Sequence, residues 1–158
     1  MIILFLLFTI SGCKETTNEL SDEEIQIIRG EVLEAFNQSK ENANAHNSDA
    51  IIQSFWNNDD LVYAMNGNLT KGRSNLYEDV KKVHSNPQNQ GFSIKIEPTY
   101  VRVINPECAL VSVAGDLIDF PTEEGSVNKN LTMTFLFEKI DGKWLITAGH
   151  ESTPENLF

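Results

Sequence analysis

The chain has little positive charge, few cysteines and no long apolar run, and each shortage excludes a class of protein. It carries 12 Lys and Arg against 23 Asp and Glu, so its formal charge is −11, which argues against binding nucleic acid. Two cysteines in 158 residues cannot form a disulfide scaffold. The longest apolar run is about a dozen residues, whereas a membrane-spanning helix needs about 20. At roughly 100–200 residues per domain, one domain with short extensions is expected.

The uncharged segment Met1–Gly12 has the character of a secretory signal peptide. It ends in Ile10-Ser11-Gly12-Cys13, which resembles the bacterial lipobox, although no Lys or Arg opens the segment. The resemblance implies cleavage before Cys13, acylation of its thiol and a lipid anchor in the cell envelope, on the periplasmic or the surface side. The alternative is a buried first strand or helix with a cysteine there by chance. We expect residues 13–20 to form a tether and residues 21–158 to form the domain.

Three helices are expected in the first half of the domain. Ser21-Asp22-Glu23-Glu24 has the pattern of a capping box, and apolar residues then recur at helical spacing to about Ala45. Ser48 is a candidate cap for a short second helix. A strand over Leu61–Met65 and a third helix over Ser74–His84 follow.

Four long strands are expected in the second half, separated by turn signals. Their approximate ranges are Phe92–Ile104, Ala109–Phe120, Val127–Ile140 and Lys143–Ser152. In the last strand, simple alternation places Trp144, Ile146, Ala148 and His150 on one face. The order of elements predicts an α+β domain in which a curved antiparallel sheet wraps the long first helix.

The sequence resembles the SnoaL-like branch of the nuclear-transport-factor-2-like superfamily. Asp49–Gly67, Gly72-Arg73 and Asp141–Ser152 carry the resemblance, which covers nearly all of Ser21–Thr153. It implies a cone with a pocket between the concave sheet face and the helices. Some members use the pocket for isomerisation, dehydration or epoxide opening, and others only bind a ligand or partner. Function must therefore be judged residue by residue.

The residues needed for one familiar activity of the superfamily are missing. In a ketosteroid-isomerase-like site, a carboxylate on the first strand removes a proton and a tyrosine on the first helix helps to hold the oxyanion. Here the base position falls on Tyr63 and the tyrosine position falls near Ser39. The resemblance therefore argues against that particular reaction.

His150 and Asp116 are the candidate acid and base, because His titrates near neutral pH and a carboxylate in an apolar strand is costly unless it is paired or at a pocket mouth. Ser152 would point the same way as His150. The structural alternative is a neutral histidine hydrogen-bonded at the rim.

Tyr63, Tyr77, Trp56 and Arg73 are candidate pocket residues, with aromatic core packing and loop anchoring as the structural alternatives. His46, His84 and His150 lie far apart in sequence and no metal-binding spacing occurs, so no metal or other cofactor is expected. Cys108 lies in an apolar run and is expected to be a packed thiol.

The interpretation reached from the sequence is an envelope lipoprotein whose pocket binds a small, mostly apolar molecule. Membrane contact would be through the lipid anchor only, and a homodimer could form through the exposed sheet face. The first alternative is a proton-transfer isomerase, dehydratase or hydrolase that uses His150 and Asp116. The second alternative is a protein-interaction module.

Overall fold

A computed structural model describes residues 20–154 of the chain. The predicted signal peptide, Cys13 and most of the tether lie outside the described residues. Within residues 20–154 there are three helices, as predicted: α1 (Asp22–Asn44), α2 (Ser48–Gln53) and α3 (Arg73–His84). No helix of this part of the chain is long and apolar enough to cross a membrane.

Helix α1 begins where the capping box predicts. The Ser21 side-chain oxygen accepts a hydrogen bond from the Glu24 backbone N–H at 3.3 Å, and the Glu24 carboxylate accepts one from the Ser21 N–H at 2.8 Å. Its apolar stripe is buried at Ile28, Val32 and Phe36. The N-cap of helix α2 is Asn47 and not Ser48 as predicted. The Asn47 side-chain oxygen accepts a hydrogen bond from the Ala50 backbone N–H.

Six strands form one sheet. They are β1 (Val62–Met65), β2 (Asn68–Lys71), β3 (Ser93–Asn105), β4 (Cys108–Thr122), β5 (Gly125–Ile140) and β6 (Lys143–Ser152). Strand β2 is not among the predicted elements, which pass from a strand ending at Met65 to the third helix; Asn66 and Gly67 form the turn that leads into β2. Both of these residues have positive φ, 46° and 83°, as a two-residue hairpin turn requires.

The sheet order is β2-β1-β6-β5-β4-β3. All neighbours are antiparallel except β1 and β6, which run parallel, so the sheet is mixed rather than wholly antiparallel. It is curved and does not close on itself, and α1 packs against it at β3 and β6. The predicted α+β cone is confirmed.

A β-bulge in β6 divides that strand into two parts, and the alternation of inward and outward side chains is reversed from one part to the other. Phe137 pairs with Ile146, but the next residue back along β5, Leu136, pairs with Ala148, so Thr147 is an extra residue. Because side chains alternate with a period of two, one inserted residue moves every later side chain to the other face. The prediction that His150 shares a face with Trp144 and Ile146 is therefore wrong. Gly149 and Glu151 take the inward positions instead.

The interior is filled at the end near the β5–β6 turn, which Asp141 and Gly142 form with positive φ. Phe137 and Val32 are completely buried, and Trp144, next to the turn, is also part of the buried core. The Trp144 indole N–H and the Lys139 ammonium both donate to one oxygen of Glu31, at 2.8 and 2.7 Å. Toward the opposite end of the same strands the side chains no longer meet, and a cavity opens.

Candidate functional site

The cavity has a volume of about 520 Å³ and lies between the helices and the concave face of the sheet. Its wall is mainly apolar, and both layers of the fold contribute to it. Among the apolar wall residues are Phe36, Ala43, Ile51, Phe55, Met65, Leu76, Val80, Val83, Phe92, Ile96, Leu117, Phe120, Met133, Phe135 and Ile146. A space of this size and lining suits a small, mostly apolar molecule held by a few polar groups.

A tyrosine and a glutamate form a hydrogen-bonded pair in the cavity wall. Tyr63 on β1 donates its hydroxyl proton to Oε2 of Glu151 on β6 at 2.8 Å. The two strands are adjacent and parallel, and Tyr63 pairs with Gly149, so its ring reaches along β6 toward Glu151. Both side chains line the cavity. The pair places a hydroxyl group and a carboxyl group together in a mainly apolar wall.

Burial governs the ionisation of this pair. It raises the pKa of Glu151, while the hydrogen bond from Tyr63 and the charge of the neighbouring His150 oppose that rise. Burial also raises the pKa of Tyr63 well above its ordinary value, as do the Glu151 charge and the hydrogen bond that Tyr63 gives to it. Glu151 can thus exchange a proton nearer to neutral pH than an exposed glutamate, whereas Tyr63 stays a donor.

Gly149 makes room for the tyrosine ring. A Cβ atom at this position would lie 2.7 Å from Cε2 of Tyr63 and 3.0 Å from Cδ1 of Phe135. Both contacts are closer than carbon atoms normally approach, so any side chain here would displace the ring. The glycine therefore helps to set the position of the Tyr63 hydroxyl.

A histidine lies elsewhere in the cavity wall, at the end of α3. His84 Nδ1 is 3.3 Å from Nδ1 of His46, and Nε2 of His46 is 3.0 Å from the carbonyl oxygen of Phe92. Both imidazoles also pack on the Phe92 ring. Burial, with a smaller contribution from His46, lowers the pKa of His84 to about 4. His84 is thus neutral at neutral pH.

Three lysines also line the cavity, although the whole protein is strongly acidic. The Lys82 ammonium pairs with Asp79 at 3.1 Å. Lys40 donates to the Asn37 side chain, and the Lys129 ammonium lies 5.4 Å from the centre of the Phe120 ring. In the part of the chain that the structure describes, neither Lys40 nor Lys129 has a carboxylate partner. They leave positive charge at the cavity for a polar end of a ligand.

His150 and Asp116 both lie on the outer face of the sheet rather than in this cavity. Asp116 accepts a hydrogen bond from Asn130 at 3.1 Å and pairs with it across β4 and β5, whereas His150 pairs with Thr134. Four residues along β5 separate these two positions, which is roughly 13 Å. The two side chains cannot meet at one ligand atom there. Their predicted role as acid and base therefore has no support from this placement.

Only one of the other predicted pocket residues lies in the cavity wall. Tyr63 lines the cavity, but Arg73, Tyr77, Trp56 and Ser152 do not. Arg73 donates from Nε to the Ile52 carbonyl at 3.1 Å, and the Tyr77 hydroxyl donates to Asp49, so both join α3 to α2. These contacts match the structural alternatives of loop anchoring and packing.

Trp56 packs against the core beside β6, where its backbone N–H donates to Ile146. Ser152 shares a hydrogen bond with Thr132 at 2.8 Å on the outer face. Cys108 is half-buried, and burial together with the Glu138 charge raises the pKa of its thiol, which disfavours the reactive thiolate.

Glu151 and His84 are two of several cavity residues that the sequence analysis does not select. Glu151 was missed because alternation was assumed to run unbroken through β6, and the bulge reverses it. His84 was weighed only as a metal ligand. Across residues 20–154, no three or more His, Cys, Asp or Glu side chains are grouped so that they could hold a metal ion.

The domain is a cone: a curved sheet of six strands packs against three helices and encloses a mainly apolar cavity with a few polar groups. The chain matches the SnoaL-like domain family over residues 31–156 and belongs to that family. A comparison with curated proteins finds no match.

Solved structures with the same fold include three bacterial proteins. An NTF2-like protein of unknown function from Shewanella oneidensis is 24% identical, with a TM-score of 0.65 over 78% of this chain and 98% of that one. A candidate dehydratase of the NTF2-like family from Streptomyces avermitilis is 12% identical, with a TM-score of 0.72 over 83% and 99%. An NTF2-like protein from Novosphingobium aromaticivorans is 14% identical, with a TM-score of 0.66 over 92% and 94%. At these identities the likeness shows the fold alone.

Proposed function

We propose that this protein is an envelope lipoprotein whose cavity binds a small, mostly apolar molecule that carries a polar group. The observation that carries the proposal is the cavity of about 520 Å³ itself, with apolar walls and the Tyr63–Glu151 pair facing into it. Burying the apolar body of a ligand contributes roughly 25 cal/mol per Å² removed from water. The Tyr63–Glu151 pair would then orient the ligand through its polar group.

Native mass spectrometry of protein purified gently from its host tests the binding proposal. We expect an extra mass that disappears on denaturation. Ser39 lines the cavity on α1, and Gln38 beside it is exposed. Ser39→Phe should lose the extra mass because the ring fills the cavity, and Gln38→Phe should keep it. A clean protein mass for all three forms, together with no affinity for apolar probes, would contradict the proposal.

Proton-transfer catalysis is the second candidate, and the cavity favours Glu151 rather than His150 and Asp116 for it. Burial raises the pKa of Glu151 above that of an exposed glutamate, which strengthens it as a base, and Tyr63 holds its carboxyl group in place. Incubation of the released ligand with the protein in D₂O would distinguish the two functions. An enzyme should exchange a carbon-bound hydrogen for deuterium, and Glu151→Gln should abolish that exchange. If the wild type causes no exchange of a carbon-bound hydrogen, proton-transfer catalysis is contradicted and ligand binding is the function that remains.

The lipid anchor at Cys13 is a proposal from the sequence, supported by the lipobox resemblance. Metabolic labelling with a palmitate analogue should mark the wild type and not Cys13→Ala. Equal labelling of the two forms would end the idea. Cys108→Ala is the matched control, because this thiol lies in β4 and should not affect labelling.

Self-association through the outer sheet face is a further proposal. Tyr100 and Ile104, both on β3, are 66% and 53% exposed, and this apolar surface is where a second copy would pack. Sedimentation equilibrium should give twice the monomer mass for the wild type and the monomer mass for Tyr100→Glu. A monomer for both proteins would contradict a dimer at this face.

A further inference from the structure

The histidine pair at the end of α3 has a hydrogen-bond pattern that allows one arrangement of protons when both rings are neutral. The Phe92 carbonyl can only accept, so Nε2 of His46, 3.0 Å away, carries a proton. A neutral imidazole has one N–H, so Nδ1 of His46 is an acceptor. Nδ1 of His84, 3.3 Å from it, must then donate. This leaves Nε2 of His84 with an unprotonated lone pair.

That lone pair is free and accessible. Within the described residues, Nε2 of His84 has no hydrogen-bond partner, yet every fully buried side-chain nitrogen or oxygen there is hydrogen-bonded. Nε2 must therefore be reached by solvent or by a ligand. His84 lines the cavity and His46 does not, so the Nδ1 edge of the ring turns away from the cavity toward His46. The opposite edge, which bears Nε2, is left for the cavity.

His84 and Glu151 belong to different parts of the cavity wall. His84 packs on Phe92, which directly precedes β3, whereas Glu151 is on β6. Three strand spacings separate β3 from β6 in the sheet order, which is roughly 14 Å measured across the strands. Apolar side chains including Phe135, Met133 and Leu117 line the cavity between them, with Lys129 also in the wall. A ligand would therefore meet His84 and the Tyr63–Glu151 pair at two separate points of a mainly apolar wall.

We propose that Nε2 of His84 is a second ligand anchor, an acceptor that His46 holds ready for a hydroxyl or N–H group of the bound molecule. The proposal rests on the binding function proposed above and specifies the chemistry of its ligand: an apolar body with a hydrogen-bond donor. His46 is the positioning residue, because its contact with Phe92 sets which nitrogen of His84 is unprotonated. The lowered pKa of His84 is consistent with a neutral acceptor at neutral pH.

The first part of the test needs no ligand. Long-range nitrogen NMR of the full chain at pH 7.5 distinguishes the two nitrogens of each imidazole. We expect the proton on Nδ1 of His84 and on Nε2 of His46. In His46→Phe the constraint is lost, and His84 should become a mixture of tautomers. A wild-type His84 protonated at Nε2 would overturn the proposal.

The second part uses a matched pair of probes, 2-naphthol and 2-methoxynaphthalene, which differ in the hydroxyl proton. The wild type should bind 2-naphthol roughly five-fold to ten-fold more tightly, as one neutral hydrogen bond allows, with a shift of the His84 Nε2 signal. His84→Phe should bind both probes equally. His150→Phe, which changes a histidine outside the cavity, should keep the preference.

The methyl signals of Met133 and Met65, both in the cavity wall, show whether a probe enters at all. If these methyls shift with 2-naphthol but Nε2 of His84 does not, the anchor is overturned and the binding function stands. If the methyls shift with neither probe, the binding function fails and the anchor falls with it. A preference that survives in His84→Phe would also overturn the anchor.

Discussion

Two glutamates in the same fold have opposite environments. Glu31 accepts from Lys139 and Trp144 at the filled end of the interior, and those two hydrogen bonds, from Lys139 first, lower its pKa. Glu151 lies at the hollow end, where burial raises its pKa and Tyr63 is its hydrogen-bond donor. Two carboxyl groups whose pKa values are shifted in opposite directions are suited to different roles. Glu31 joins α1 to the sheet, whereas Glu151 is left able to interact with a ligand or to move a proton.

The same strands form the filled end and the hollow end of the interior. The two ends differ in how closely their side chains pack, and not in the type of side chain. Phe137 and Phe135 are two residues apart on β5 and face the same way, yet Phe137 is wholly enclosed and Phe135 borders the cavity. The bulge at Thr147 lies between the two ends on β6. A single inserted residue thus allows one strand to complete a core and then to supply Gly149 and Glu151 to a site.

The largest effect should come from truncating the filled end. Phe137→Ala should lower the free energy of unfolding by about 3–5 kcal/mol, since it leaves a void in a tightly packed region. Phe135→Ala should cost clearly less, because one side of this ring already borders empty space. Urea denaturation of the two variants measures the difference. Equal losses would mean that the hollow end is as well packed as the other.

Adding a methyl group at Gly149 should come next. Gly149→Ala forces the Tyr63 and Phe135 rings to move, at a cost of roughly 1–3 kcal/mol, and should break the hydrogen bond to Glu151. Gly30→Ala is the matched control, because a Cβ there meets nothing within 4 Å. It lies within α1 and should stabilise the protein by about 0.5–1 kcal/mol. Equal effects at both glycines would contradict the close packing around Tyr63.

The two glutamates should respond to pH with opposite signs. Glu31 has a lowered pKa, so its contribution to stability is present above its ordinary pKa and is lost as pH falls through the lowered value. Glu151 has a raised pKa, so its contribution is present below the ordinary pKa and is lost as pH rises through the raised value. Glu31→Gln should therefore cost about 1 kcal/mol at pH 7, given its half-exposed ion pair.

At the same pH, Glu151→Gln should be neutral or stabilising, because an uncharged amide replaces a carboxylate whose charge burial disfavours. Denaturation curves at pH 4, 5.5 and 7 check both signs. A Glu151→Gln variant that loses as much stability at pH 7 as Glu31→Gln would break the comparison between the two ends.

Local rules predicted much of the fold. The capping box at Ser21 and the apolar spacing that follows it define α1. Alternation along β5 places Val127, Leu131, Met133, Phe135 and Phe137 on one face; the last four are buried, whereas Val127 is exposed. Two features depend on distant contacts and were not predictable from adjacent residues. They are the parallel pairing of β1 with β6 and the addition of the mostly polar β2 at the edge.

The candidate site was less predictable than the fold because it depends on one bulge. Thr147 carries no turn signal in the sequence, so no local feature indicates that the alternation reverses there. In the structure its side chain is buried, as is that of Ile146. Tyr63 is a candidate pocket residue in the sequence, and the structure places it in the cavity wall. Its partner Glu151, 88 residues later, becomes visible only when β6 is placed beside β1.

A crystal structure under xenon pressure, after removal of bound small molecules, tests the difference between the two ends most directly. Xenon enters apolar cavities and stays out of well-packed cores. We expect xenon at the hollow end, against Met133 and Phe135, and none between Phe137 and Val32. Side chains that close the space beside Phe135, with no xenon bound there, would contradict a ligand cavity and the function proposed for it.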